Sequence, residues 1–112
     1  MSKTANHKKN KNLSKTFDLE IQVRPDLDER QNFEPIELFQ KRVARFLADV
    51  EMQSGVIYFV THLDWIEEAL IQIPADLDLT ADRFSSWMPT QFLDFEVNDG
   101  LWMFHNFGST QL

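Results

Sequence analysis

Residues 55–61 read Gly-Val-Ile-Tyr-Phe-Val-Thr. Five apolar residues in a row, all β-branched or aromatic, sit between a glycine and a threonine. A run this short is too brief for a membrane span. Because strand side chains alternate between faces, a strand here is apolar on both sides and calls for cover on both. Reading residues 56–60 as a buried strand makes them the centre of a sheet, and the flanking segments must then supply its neighbours and its cover.

Upstream, Gln53, Ser54 and Gly55 turn the chain. Before them, Ile36, Phe39, Val43, Phe46, Leu47 and Val50 recur at three- and four-residue steps. That spacing predicts a helix over residues 35–50 with one apolar stripe. Pro35 suits its first turn, and with Glu34 as cap, Phe33 and Leu38 take the two positions of a hydrophobic staple. Arg42 and Arg45 fall on the wet side. Earlier still, residues 16–24 alternate strictly: Phe17, Leu19, Ile21 and Val23 against Asp18, Glu20, Gln22 and Arg24. This is the pattern of a half-buried strand, and Pro25 ends it.

Downstream, Thr61 with Asp64 three residues on is a variant capping box. A second helix is expected over residues 62–73, with Trp65, Ile66, Ala69, Leu70 and Ile73 inward and Pro74 closing it. Residues 74–79 form a connector with room for a short extended piece. Thr80 can cap a short third helix that turns Phe84, Trp87 and Met88 inward.

The chain then reads F-L-D-F-E-V-N-D-G-L-W-M-F-H-N-F over residues 92–107. Asn98, Asp99 and Gly100 divide it into two strands of a hairpin. A two-residue Asp99-Gly100 turn pairs Val97 with Trp102, Glu96 with Met103, Phe95 with Phe104, Asp94 with His105 and Phe92 with Phe107. A three-residue turn pairs Val97 with Leu101 and Glu96 with Trp102, exchanging the two faces. The two-residue turn is preferred because it gathers Leu93, Phe95, Val97, Trp102 and Phe104. In either register the opposite face keeps large apolar groups beside Asp94 and Glu96.

The expected fold is therefore α+β: a two-layer sandwich with a four-stranded mixed sheet, helices on one face, order β-α-β-α-α-β-β and a C-terminal β-hairpin. A crossover over residues 35–50 is long enough for parallel neighbours. At 112 residues the chain suits one domain.

Charge is distributed unevenly. Lys3, Lys8, Lys9, Lys11 and Lys15 occupy the first fifteen residues with no acid among them, although the net charge is −7. Residues 1–15 are expected to be a disordered basic tail on a single acidic domain of residues 16–112. That tail is the only part suited to nucleic acid. Cysteine is absent, which removes disulfides and thiolate chemistry and points to a cytoplasmic protein.

No residue pattern compels an enzyme. The three glycines lie in no phosphate-cradling run. Asp76, Asp78 and Asp82 resemble the start of a calcium loop, but Ala81 and Trp87 stand where glycine and the bidentate glutamate belong. Neither a metal nor a cofactor is assigned, and a small metal-dependent hydrolase using these aspartates is kept as an alternative. Asp64, Glu67 and Glu68 share one side of the second helix and fit a solvated face. An Asp94–His105 pair is half of a catalytic triad without a nucleophile in suitable context.

The favoured reading is a small non-catalytic interaction or regulatory protein. Its partner-binding residues would be Phe92, Asp94, Glu96, Trp102, Met103, Phe104, His105 and Phe107. Aromatic residues are frequent interface anchors, and an acidic surface steers a basic protein partner. Self-association into a homodimer through the sheet is the simplest oligomer. A nucleic-acid mimic that blocks a basic protein is a further alternative.

Overall fold

The computed structural model describes residues 21–109. Among those residues, two helices and one two-stranded antiparallel sheet make a small α+β fold. Helix α1 spans Ile36–Glu51 and α2 spans Leu63–Gln72. Strands β1, Gln91–Asn98, and β2, Leu101–Ser109, form the hairpin. The chain divides into two compact units between Ala69 and Leu70, within α2.

Among the described residues the four-stranded mixed sheet is not formed: the sheet has two strands. Residues 21–24 are irregular, while residues 16–20 of that expected strand, like the lysine tail, lie outside the described residues. Residues 56–60 form no regular element and pair with no strand among the described residues. Their apolar character is met in another way. Ile57 and Phe59 turn inward and are half-buried, while Val56, Tyr58 and Val60 remain exposed. Phe59 meets Phe46 of α1 edge-on at 4.9 Å and Trp65 of α2 at 5.9 Å. Two helices thus cover the side of the segment that carries Ile57 and Phe59. The expected third helix is only a 3-10 turn, Asp82–Phe84.

In the first unit the middle of the α1 stripe packs as its spacing predicts, while Ile36 stays exposed and Val50 is half-buried. Phe39, Val43, Phe46 and Leu47 are buried with Leu27, Trp65 and Ala69. Each such side chain contributes about 1.5–3 kcal/mol on removal from water. Helix α1 starts one residue later than expected, with Pro35 at its cap position. The staple is not made, because Phe33 and Leu38 are both exposed. The Thr61 hydroxyl donates to the Leu27 carbonyl instead of capping α2. The Trp65 indole N–H donates to the Asp26 carbonyl at 2.6 Å. These bonds tie the loop before α1 to the start of α2.

The loop is held more firmly by Arg42. Its guanidinium binds Glu34 through two parallel bonds of 3.0 Å, and also donates to the carbonyls of Asp26, Asp28 and Glu29. The planar five-donor fork of arginine makes such a clamp possible; lysine could not copy it. Arg45 reaches Asp26 at 3.0 Å, and Asp49 pairs with Arg24 at 2.9 Å. The solvent side of α1 is thus partly occupied in holding the loop.

In the second unit Leu70, Leu79, Phe84 and Trp102 are buried. The connector does contain a short extended piece. Ala75 forms an isolated parallel bridge with Trp102. Trp102 N–H donates to the Pro74 carbonyl at 3.0 Å, and Asp76 N–H to the Trp102 carbonyl at 3.1 Å. Among the described residues, no helix is long and apolar enough to cross a membrane.

Candidate functional site

The hairpin closes through Asp99 and Gly100, whose φ angles are 51° and 80°. Positive φ at both central residues is the type I′ turn that suits strand twist. Near the turn the pairs are Asn98–Leu101, Val97–Trp102, Glu96–Met103 and Phe95–Phe104. This is the two-residue register.

Beyond Phe95 the ladder shifts. Asp94 pairs with Asn106, Leu93 with Phe107 and Phe92 with Gly108. His105 is the extra residue of a β-bulge. The expected Asp94–His105 and Phe92–Phe107 pairs are replaced. One inserted residue moves everything after it to the other face of the strand. Phe107 therefore joins Leu93, Phe95, Val97, Trp102 and Phe104 on the inner face.

The physical reason is the apolar surface waiting there. Phe107 meets Phe84 edge-on at 5.5 Å and Trp87 at 5.1 Å. Phe104 meets Phe84 at 5.4 Å, and Phe95 meets Trp102 at 5.4 Å. Such pairs are worth about 0.5–1.5 kcal/mol each beyond burial. The Arg83 guanidinium lies over the Phe84 ring at 4.6 Å and the Phe104 ring at 5.2 Å. Of the eight candidate residues, Trp102, Phe104 and Phe107 serve this core, Trp102 with only 3% of its surface exposed.

The other five share the outer side or the bulge. Asp94 and Glu96 are exposed, and Phe92 and Met103 are half-buried. The Phe92 ring covers the glycine opposite it: a Cβ on Gly108 would stand 3.2 Å from Phe92 Cζ. His105 Nε2 lies 3.4 Å from Glu96 Oε1. The imidazole thus leans toward Glu96 rather than Asp94, and the expected Asp94–His105 pair is not assembled.

The connector's Asp76 and Asp78 both serve the fold. Asp76 Oδ1 accepts the Phe104 N–H at 3.0 Å, standing in for a strand carbonyl. Asp78 Oδ1 accepts both the N–H and the hydroxyl of Thr80, at 2.9 and 2.6 Å. The Thr80 hydroxyl, helped by that N–H, lowers the Asp78 pKa. Among the described residues, no three acidic, histidine or cysteine side chains are grouped to hold a metal.

One electrostatic feature escaped the sequence. Glu34 is held from its usual 4.5 down to about 2, first by the Arg42 hydrogen bonds and then by the Gln31 N–H. Arg42 is raised in turn by Glu34. Eight residues separate the two, across a proline, so no helical spacing advertised the pair.

No family model matches the chain, and neither a curated protein nor a solved structure matches it.

Proposed function

We propose that this chain is a small non-catalytic interaction protein that binds a basic protein partner through the outer face of its hairpin. The observation that carries the reading is that face: exposed Asp94 and Glu96 set among half-buried Phe92 and Met103, with His105 raised on the bulge. Apolar side chains supply contact area, and the flanking carboxylates select and steer positive charge. Trp102, Phe104 and Phe107 act from behind, by fixing the hairpin's shape.

The charge of the chain agrees with this role. Outside the first fifteen residues, 18 acids stand against six bases. A basic protein is favoured over a second copy, because two such faces would bring like charges together. Lack of cysteine suits a reducing, cytoplasmic setting. Two of the three aspartates considered for a hydrolase, Asp76 and Asp78, are engaged with backbone donors, which favours binding over catalysis.

The test is affinity capture from native cell extract on the immobilised full chain, with D94K/E96K as the comparison bait. A basic protein retained in stoichiometric amount by the wild type and lost from the variant supports the reading. Equal retention on both baits sinks it.

A further inference from the structure

Phe33 is the most exposed large apolar residue among those described, at 102% of its reference area. It also has a φ of 68°, in the left-handed region. That conformation is unfavourable for a bulky residue, and strain of this kind persists only where the surroundings fix it. Here they do. Glu34 N–H donates to the Gln31 carbonyl at 3.1 Å, closing a turn with Phe33 at its third position. Glu34 Oε1 accepts the Gln31 N–H at 3.0 Å, and Arg30 Nε donates to the Glu34 carbonyl at 3.0 Å. Arg42 then holds both carboxylate oxygens of Glu34. The ring gains nothing from burial, yet a rigid turn keeps it in solvent.

The chain on either side of it is acidic in sequence. Asp28, Glu29 and Glu37 are exposed, while Arg42 already neutralises Glu34. Arg30 and Lys41 are the neighbouring exposed cations. A depression of about 550 Å³ adjoins the ring, bounded also by Asn32, Pro35 and Asp64. Asp64 Oδ2 accepts the Arg30 N–H at 2.9 Å, whereas its Oδ1 is buried without a hydrogen-bond partner. Leu38, in the first turn of α1, is also exposed, at 53%.

We infer that Phe33 is a pre-set anchor that enters an apolar pocket on a basic protein, whose lysines or arginines meet Asp28, Glu29 and Glu37. A side chain already held in its bound position loses little freedom on docking, which is the advantage of preorganisation. A second copy of this chain is the poorer occupant, because it would set the same acidic ground against itself. The inference does not rest on the hairpin: every residue in it lies in the first unit, and either surface can fail alone.

The test places p-benzoylphenylalanine at position 33 of the full chain and irradiates it in native cell extract. Each crosslinked protein is purified and its Kd is measured for wild type, F33G and D28K/E29K. F33G is the clean variant, because glycine accepts the φ and no buried contact is lost; its melting temperature should be unchanged or raised. The expected result is a basic protein whose affinity drops at least about tenfold in F33G, as for a hot-spot side chain. D28K/E29K should weaken it further and flatten its dependence on salt. Crosslinking only to a second copy, only to acidic proteins, or to nothing overturns the inference. So does a partner whose affinity F33G leaves unchanged.

Discussion

Replacing Glu34 by glutamine should make the stability of this protein less sensitive to acid. Its carboxylate is held at about 2 against a usual 4.5 by the Arg42 hydrogen bonds and the Gln31 N–H. At about 1.4 kcal/mol for each tenfold change in proton affinity, the full difference corresponds to about 3.4 kcal/mol. The loop is at the surface, with 15% of the Glu34 side chain and 14% of Arg42 exposed, and water screens part of that. We therefore expect about 1–2 kcal/mol from the carboxylate. The native pKa lies below the unfolded one, so this stability is complete above about pH 5.5 and lost as pH falls towards 2. At pH 7 the E34Q variant should melt about 4–16 °C below wild type, using about 4–8 °C per kcal/mol for a domain of this size. The gap should narrow below pH 4.5 and close near pH 2. Circular dichroism melts of both proteins across that range measure it. A gap that is absent at pH 7, or that persists unchanged at pH 2, refutes the clamp.

Three further outcomes follow from the hairpin. Deleting His105 removes the bulge but keeps Leu93 opposite Phe107, so the nuclear Overhauser contacts between Phe107 and Trp87 should survive with stability within about 1 kcal/mol of wild type. A loss above about 3 kcal/mol with those contacts gone would mean that the bulge is misplaced. Gly100→Val puts a β-branched residue at φ 80° and should cost about 1–3 kcal/mol in urea unfolding, whereas Asp99→Asn should be nearly neutral. Asp76→Ala removes the acceptor of the Phe104 N–H, and faster hydrogen exchange at Phe104 with about 1 kcal/mol of lost stability is expected.

Helix positions were legible because an amphipathic stripe repeats locally. Phe39, Val43, Phe46 and Leu47 declare α1 at three- and four-residue steps, and they are the residues it buries. The turn at Asp99-Gly100 was legible for a similar reason, since its φ requirements fall on two adjacent residues. Residues 56–60 misled because strand composition records a wish for burial, not the partner that provides it. Helix packing through Phe46 and Trp65 satisfied Phe59 without a ladder. The bulge was hidden for a further reason. Its cause is the tertiary surface of Phe84 and Trp87, which draws Phe107 inward, and no spacing within residues 101–107 encodes that pull. The Glu34–Arg42 clamp and the strained Phe33 depend likewise on a loop whose path the sequence does not state. Of the candidate site, the acidic outer residues Asp94 and Glu96 were readable from alternation alone; which aromatics lay behind them was not.

The proposal that this acidic face binds a basic protein is tested most directly by the salt dependence of that complex. The Kd of the captured partner is measured between low and moderate ionic strength for wild type and for D94K/E96K. The account predicts steep weakening with salt for the wild type, and at least about a tenfold loss for the variant at low salt, with a shallower salt dependence. Equal affinities for the two proteins at every ionic strength would contradict it.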